Sequence, residues 1–102
     1  LRLKELSIDD ITGYSGGYNV DENGNVTGLN LYETNLLDYS FIKDFKHLAH
    51  LDLGNNHIWE CAFIEDLPQL RYLYLSENNI SDITSLKNLD DLSLLYLMLP
   101  PQ

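Results

Sequence analysis

His50 and Asp52 stand two residues apart, with His47, His57 and Cys61 close by in sequence. An imidazole beside a carboxylate is the beginning of a general acid–base site, and imidazoles with a thiolate are the beginning of a zinc site. Neither pattern is completed. The chain has no zinc-type ligand spacing, no nucleophile elbow and no Gly-rich phosphate loop, so it is not expected to be an enzyme. Asp21-Glu22-Asn23-Gly24-Asn25 also offers oxygens at alternate positions, as a calcium loop does. An EF-hand-like loop would need its Gly after Asn25, where Val26 stands, and a bidentate Glu further on. A tight turn at Asn23-Gly24 is the better reading. No cofactor and no metal are expected.

A repeat positions these groups. In Leu70 to Leu92 the apolar residues fall at Leu70, Leu73, Leu75, Ile80, Ile83, Leu86, Leu89 and Leu92. The spacing fits neither an amphipathic helix nor an alternating strand. Leu73 and Leu75 alternate as a short strand does, and the run of threes from Ile80 suits the eclipsed faces of 3₁₀ turns that return the chain to its start. At a shift of 22 residues upstream, Leu48, Leu51, Leu53, Asn56, Ile58, Cys61, Ile64 and Leu67 take the corresponding places. A second such shift gives Val26, Leu29, Leu31, Thr34, Leu36, Tyr39, Ile42 and Phe45, with the Asn exchanged for Thr34 and Asn35 beside it. Leu92, Leu95 and Leu97 begin another copy that runs out at Pro100. This register, held over about 75 residues, marks a solenoid.

The segments LAHLDLGNNHI and LRYLYLSENNI resemble the leucine-rich repeat pattern L-x-x-L-x-L-x-x-N-x-L. The 22-residue length and the tail I-x-x-I-x-x-L-x-x-L are similar to the subclass found in bacterial internalins and in a regulatory subunit of protein phosphatase 1. The resemblance covers Val26 to Leu97. It implies an α/β solenoid with a short curved parallel sheet on the concave side and 3₁₀ or irregular segments on the convex side. It also implies that Asn56 and Asn78 are structural, bonding main-chain groups of neighbouring coils. Thr34 has fewer bonds to offer, so the first coil is expected to lean on Asn35 or on the cap. The family's common property is protein recognition, with partners unrelated to one another.

The expected organisation is one domain, with an N-terminal cap over 1–25, repeats over 26–47, 48–69 and 70–91, and a partial repeat over 92–102. Within the cap, GYSGGYNV and VTGLNL read as two β-runs joined at the Asn23-Gly24 turn. That hairpin would lay Tyr18 to Val20 antiparallel to Leu29 to Leu31 and cover the sheet's open edge. Leu1 to Thr12 fits either a short helix or a degenerate strand.

On such a solenoid His50 and Asp52 point to the concave side, His57 lies past the loop and Cys61 faces the core, so the four do not converge. The outward concave positions are Gly28, Asn30 and Tyr32, then His50, Asp52 and Gly54, then Tyr72, Tyr74 and Ser76, then Leu94, Tyr96 and Met98. A solvated strand face needs no aromatic residues. Tyr32, Tyr72, Tyr74 and Tyr96, with His50, Asp52, Glu33 and Glu77 around them, are what a protein-binding surface uses, because Tyr supplies large area at low entropy cost. The competing reading is that the tyrosines stack to support a narrow sheet. Trp59 and Phe63 stand outside the repeat pattern; either fills a gap under the returning segment or forms a small exposed patch, and filling is the expected use.

Sixteen acidic residues against six basic ones give a formal charge of −10, spread along the chain. A nucleic-acid partner needs a basic patch and is not expected, whereas a basic protein partner suits the charge. Neither a membrane span nor a signal peptide is visible, and since the chain opens at Leu1 rather than Met it is expected to be a processed or excised piece. A single cysteine and no Cys-rich caps favour the cytoplasm or a bacterial source over an animal extracellular one. LSLLYLMLPPQ is apolar without a charge after Asp91, so this strand, Leu99 included, is expected to be covered by further coils, a partner or a second copy. The function these features suggest is a non-catalytic protein-interaction module, in one form an acidic inhibitor or immunity-type protein for a basic enzyme. The alternative is an architectural or recognition segment of a larger receptor or GTPase-type protein.

Overall fold

A computed structural model describes residues 2–97, without the side chains of Leu94 and Tyr96; the expectation for Leu99 lies outside the described residues. Six strands pair in chain order: β1 (Lys4–Glu5), β2 (Gly17–Val20), β3 (Val26–Asn30), β4 (His50–Asp52), β5 (Tyr72–Tyr74) and β6 (Leu94–Tyr96). From β3 onward the strands are parallel, with Gly28, His50, Tyr72 and Leu94 in register, so each coil repeats the last at the same phase. The strands form where the alternation brings one leucine inward at mid-strand and another just past it. Leu29, Leu31, Leu51, Leu53, Leu73 and Leu75 are all at most 1% exposed. Main-chain bonds then join coil to coil, Leu31 N–H to Asp52 O and Leu53 N–H to Tyr74 O, both at 2.8 Å.

The returning segments hold 3₁₀ helices at Ser40–Asp44, Ala62–Ile64 and Thr84–Leu86, stacked on one another. Each starts two residues after a carboxylate: Asp38, Glu60 and Asp82 accept the backbone N–H groups of Ser40, Ala62 and Thr84. That satisfies donors which a short helix leaves open at its start. Tyr39, Ile42, Cys61, Ile64 and Leu67 complete the core from this side. No α-helix occurs among the described residues, so the helical half of the expected α/β class is 3₁₀ alone. Tyr39 and Cys61 are covered by the coil that follows each of them. Ile83, at the same place in the third coil, is 43% exposed, and Leu95 is 39% exposed. Among the described residues no helix is long and apolar enough to cross a membrane.

The asparagines close the corners. Asn56 is buried, and its amide donates to Leu31 O, Leu53 O and Gly54 O while its carbonyl accepts the N–H groups of Thr34 and Asn35. Asn78 repeats this one coil on, donating to Leu53 O and Leu75 O and accepting from Asn56 N–H and Ile58 N–H. The Thr34 hydroxyl donates to Leu31 O at 2.9 Å, lies 3.4 Å from Asn56 Oδ1 of the next coil, and meets the Tyr39 hydroxyl, which also accepts Leu36 N–H. Asn56 and Tyr39 therefore hold this corner, and the N-terminal segment bonds the first coil beside it, Ser15 Oγ donating to Tyr32 O and Gly16 N–H to Asn30 O.

At the N-terminal side β2 runs antiparallel to β3, with Tyr18 opposite Leu29. The turn between them has Gly24 at φ 83°, a left-handed conformation that glycine adopts without strain. Asp21 organises it, its carboxylate accepting the N–H groups of Asn23 and Asn25 and the Asn25 amide. The Asp21 carboxylate, first of the oxygens that suggested a calcium loop, is thus spent on the turn itself. The segment expected as helix or strand up to Thr12 contains a little of both: β1 pairs parallel with β2, and Ile11–Gly13 is a 3₁₀ turn. The edge of the sheet is thus β1 rather than the hairpin strand.

The same segment corrects the concave surface. A Cβ at Gly28 would lie 2.6 Å from Ile11 Cδ1 and 3.3 Å from Ile8 Cδ1, so the missing side chain leaves a hollow that these isoleucines fill. The Asn30 amide donates to Ile11 O at 2.6 Å. Gly28 and Asn30, expected to face outward in the open, are buried.

Candidate functional site

Beyond that cover, the outward face of the sheet is built from β4, β5 and the turns that follow them. His50 lies beside Tyr72 and diagonal to Tyr74, with ring centroids 5.8 and 5.5 Å away and both planes tilted by 45°. Such aromatic pairs hold one another by about 1 kcal/mol beyond area burial. The imidazole is 8% exposed and its Nε2 finds no hydrogen-bond partner, so burial pushes its pKa below the ordinary histidine range. Asp52 is half-buried next to it in the strand, and burial raises its carboxyl despite the 2.9 Å bond it accepts from Gly54 N–H. Tyr32 lies across Gly54, where a Cβ would come within 2.8 Å of the ring. Tyr72, 37% exposed, and Tyr32, 36% exposed, are the open aromatics of this face, while Tyr74 is half-buried.

Glu33 and Glu77 are exposed at the turns leaving the strands, with φ of 54° and 61°. Asn55, φ 56°, holds the equivalent place between them and donates its amide to Glu33 Oε2. The structure therefore brings together His50, Asp52, Tyr72 and Tyr74, with Tyr32 alongside. Glu33 and Glu77 stand at the rim. Tyr96 is in register with Tyr74 on β6, and its side chain is not described.

The groups that raised the question of catalysis are dispersed. His47 and His57 are exposed, His50 is on the sheet, and Cys61 is buried in the core with its Sγ 3.9 Å from Asp82 O. Burial, with Glu60 and Asp82 adding to it, raises the thiol's pKa and keeps it protonated. Among the described residues no group of three or more His, Cys, Asp or Glu comes together to hold a metal.

A second feature lies at the edge where the chain leaves the strand turns for the 3₁₀ segments. Trp59, expected to fill a gap, is 75% exposed, and Leu37, one repeat earlier, is fully exposed. Phe63 is the aromatic that packs against the core. Leu36, Leu37, Tyr39, Ile58, Trp59 and Phe63 line a hollow of about 450 Å³ between the first two coils. Trp59 also borders a smaller hollow with Ser81, Asp82 and Ser85 of the third coil. The signal was present in the sequence: Leu37 and Trp59 share one repeat position, and Asp38, Glu60 and Asp82 share the next.

No protein-family model matches the sequence, and no curated protein matches it. Solved structures do. An internalin, InlF, of Listeria monocytogenes is 27% identical, with a TM-score of 0.70 over 81% of this chain and 26% of that one. Internalin C2 of the same organism is 28% identical, with a TM-score of 0.69 over 79% of this chain and 38% of that one. The chain thus spans well under half of either protein. Its fold is an internalin-like leucine-rich repeat.

Proposed function

We propose that this chain is a non-catalytic protein-interaction module that binds a protein partner through the outward, concave face of its sheet. The observation that carries this reading is the ring group of His50, Tyr72 and Tyr74, a preformed aromatic surface at the middle of the stack whose geometry is fixed before a partner arrives. Rigid aromatics of this kind lose little entropy on binding and are frequent hot spots. Tyr32, Asp52 and Tyr96 extend it, with Glu33 and Glu77 as an acidic rim. A formal charge of −10 suits a basic partner, including the inhibitor or immunity-type role toward a basic enzyme.

The hairpin and β1 act as the N-terminal cap over residues 1–25, ahead of coils at 26–47, 48–69 and 70–91 and the part-coil from 92. Exposed Ile83 and Leu95 favour a second reading alongside the first, in which the last described coil is covered by further coils, a partner or a second copy. The test is affinity capture on the wild-type chain and on the Tyr72→Ala, Tyr74→Ala variant, with retained proteins identified by mass spectrometry. A protein held by the first and lost from the second supports the concave assignment. If every retained protein still binds the double variant, the concave assignment is overturned.

A further inference from the structure

We propose that the Leu37–Trp59 edge is a second docking site, which takes an extended peptide segment carrying Arg or Lys beside one apolar or aromatic side chain. This does not rest on the concave reading, since the two faces share no residue named for either. The fold does not require an apolar group here: Ser81 holds the same position in the third coil. Yet Leu37 and Trp59 stand 106% and 75% exposed in adjacent coils, and both line the hollow of about 450 Å³. Exposed apolar groups gathered round a concavity are the usual mark of an interaction surface.

The charge beside them indicates what fits. Asp38, Glu60 and Asp82 recur once per coil, so a peptide running along the stack meets a carboxylate at each step. Each carboxylate is on an exposed residue and is held at its place by the backbone N–H two residues on. Asp66 lines the first hollow as well, against a single lysine, Lys43. An Arg guanidinium can therefore pair with the column and also lie over the indole of Trp59. A second copy of a chain with charge −10 would be repelled from the same column.

Trp59 is the only tryptophan, so its emission reports the site directly. A random-peptide phage library is panned on the chain, and synthetic versions of the selected peptides are titrated while Trp59 fluorescence and iodide quenching are read. The expected result is peptides of net positive charge with an aromatic or aliphatic residue, which shift the emission to the blue and shield it from iodide. Read by polarisation of labelled peptide, Trp59→Ala should lower affinity about tenfold or more. Asp38→Asn with Asp82→Asn should weaken it several-fold at low salt and little at high salt, keeping the backbone bonds meanwhile. Tyr72→Ala with Tyr74→Ala should leave it unchanged. The proposal is overturned if nothing is enriched, if the peptides are acidic or neutral, or if they still bind Trp59→Ala. It also falls if binding is lost with the tyrosines, or if the emission shift follows protein concentration alone, which would mark a second copy as the occupant.

Discussion

The side-chain carbonyl of Asn78 accepts the backbone N–H of Asn56 at 3.0 Å, so the residue that ties the third coil to the second also fixes the residue that ties the second to the first. Removing either amide leaves several buried main-chain groups without partners, at about 1–3 kcal/mol for each group left unsatisfied. We expect Asn56→Ala and Asn78→Ala each to cost about 3 kcal/mol or more in urea unfolding, and Thr34→Ala about 1 kcal/mol. The two amides share the acceptor Leu53 O, which keeps one donor after either single change and loses both in the double variant, so the two should combine more than additively. Independent, additive losses would show that the ladder does not act as one unit.

Leu73 is completely buried at the centre of the stack. Leu73→Ala should cost about 2–5 kcal/mol through the cavity it leaves, which in a domain this thin is most of the available stability. Circular dichroism should show the variant largely unfolded at room temperature; a melting curve like the parent's would contradict the packing.

The pH dependence of stability has two opposed contributors on the outward face. His50 has a folded pKa below its unfolded one, so its contribution is complete above the unfolded value and is lost as pH falls through the interval beneath it. Asp52 has a folded pKa above its unfolded one, so stability is lost as pH rises from the ordinary carboxylate range through the folded value. His50→Gln should flatten the decline of melting temperature between about pH 7 and pH 5. Asp52→Asn, which keeps an acceptor for Gly54 N–H, should melt higher than the parent at neutral pH. A variant curve parallel to the parent's in either case would remove that residue from the account.

Once a partner is identified, Tyr72→Ala with Tyr74→Ala should cost about 2 kcal/mol or more in affinity; because the change also removes both ring contacts of His50, the melting temperature should fall by several degrees, and binding is read well below it. Glu33→Gln and Glu77→Gln should slow association at low ionic strength and matter little at high salt. Stopped-flow association at two salt concentrations separates these effects.

Glu77 sits at φ 61°, where a side chain other than glycine's costs about 1 kcal/mol. Glu77→Gly should recover part of that, offset by the extra freedom of glycine in the unfolded chain. A loss of more than about 1 kcal/mol would mean that the carboxylate makes a stabilising contact.

The coils were legible because a 22-residue period constrains every leucine at once: Leu51, Leu53, Leu73 and Leu75 could not change phase without exposing the whole set. The N-terminal cover was not, because Ile8 and Ile11 meet Gly28 across a gap in sequence that no repeat spans. A glycine in a strand signals close approach, but not by what. Trp59 was misplaced for a different reason. Aromatic size suggested filling, while its repeat position, shared with the exposed Leu37, pointed outward. Which carboxylates matter was hidden in the same way, since sixteen acids look evenly scattered until Asp38, Glu60 and Asp82 are aligned by coil.

The exchange of Asn for Thr34 gives the stack a direction in the sense used of polymers. An asparagine coil hands its amide back to the coil before it, and its own backbone waits for the next amide. Thr34 hands nothing back. The first coil is therefore an initiating unit and the second an elongating one, so duplication of residues 48–69 would insert a coil with every corner group matched. Duplication of 26–47 in front would instead set a threonine where an amide is owed. Lengthening by gene duplication is thus permitted at one end of this ladder and penalised at the other, a constraint written in a single side chain.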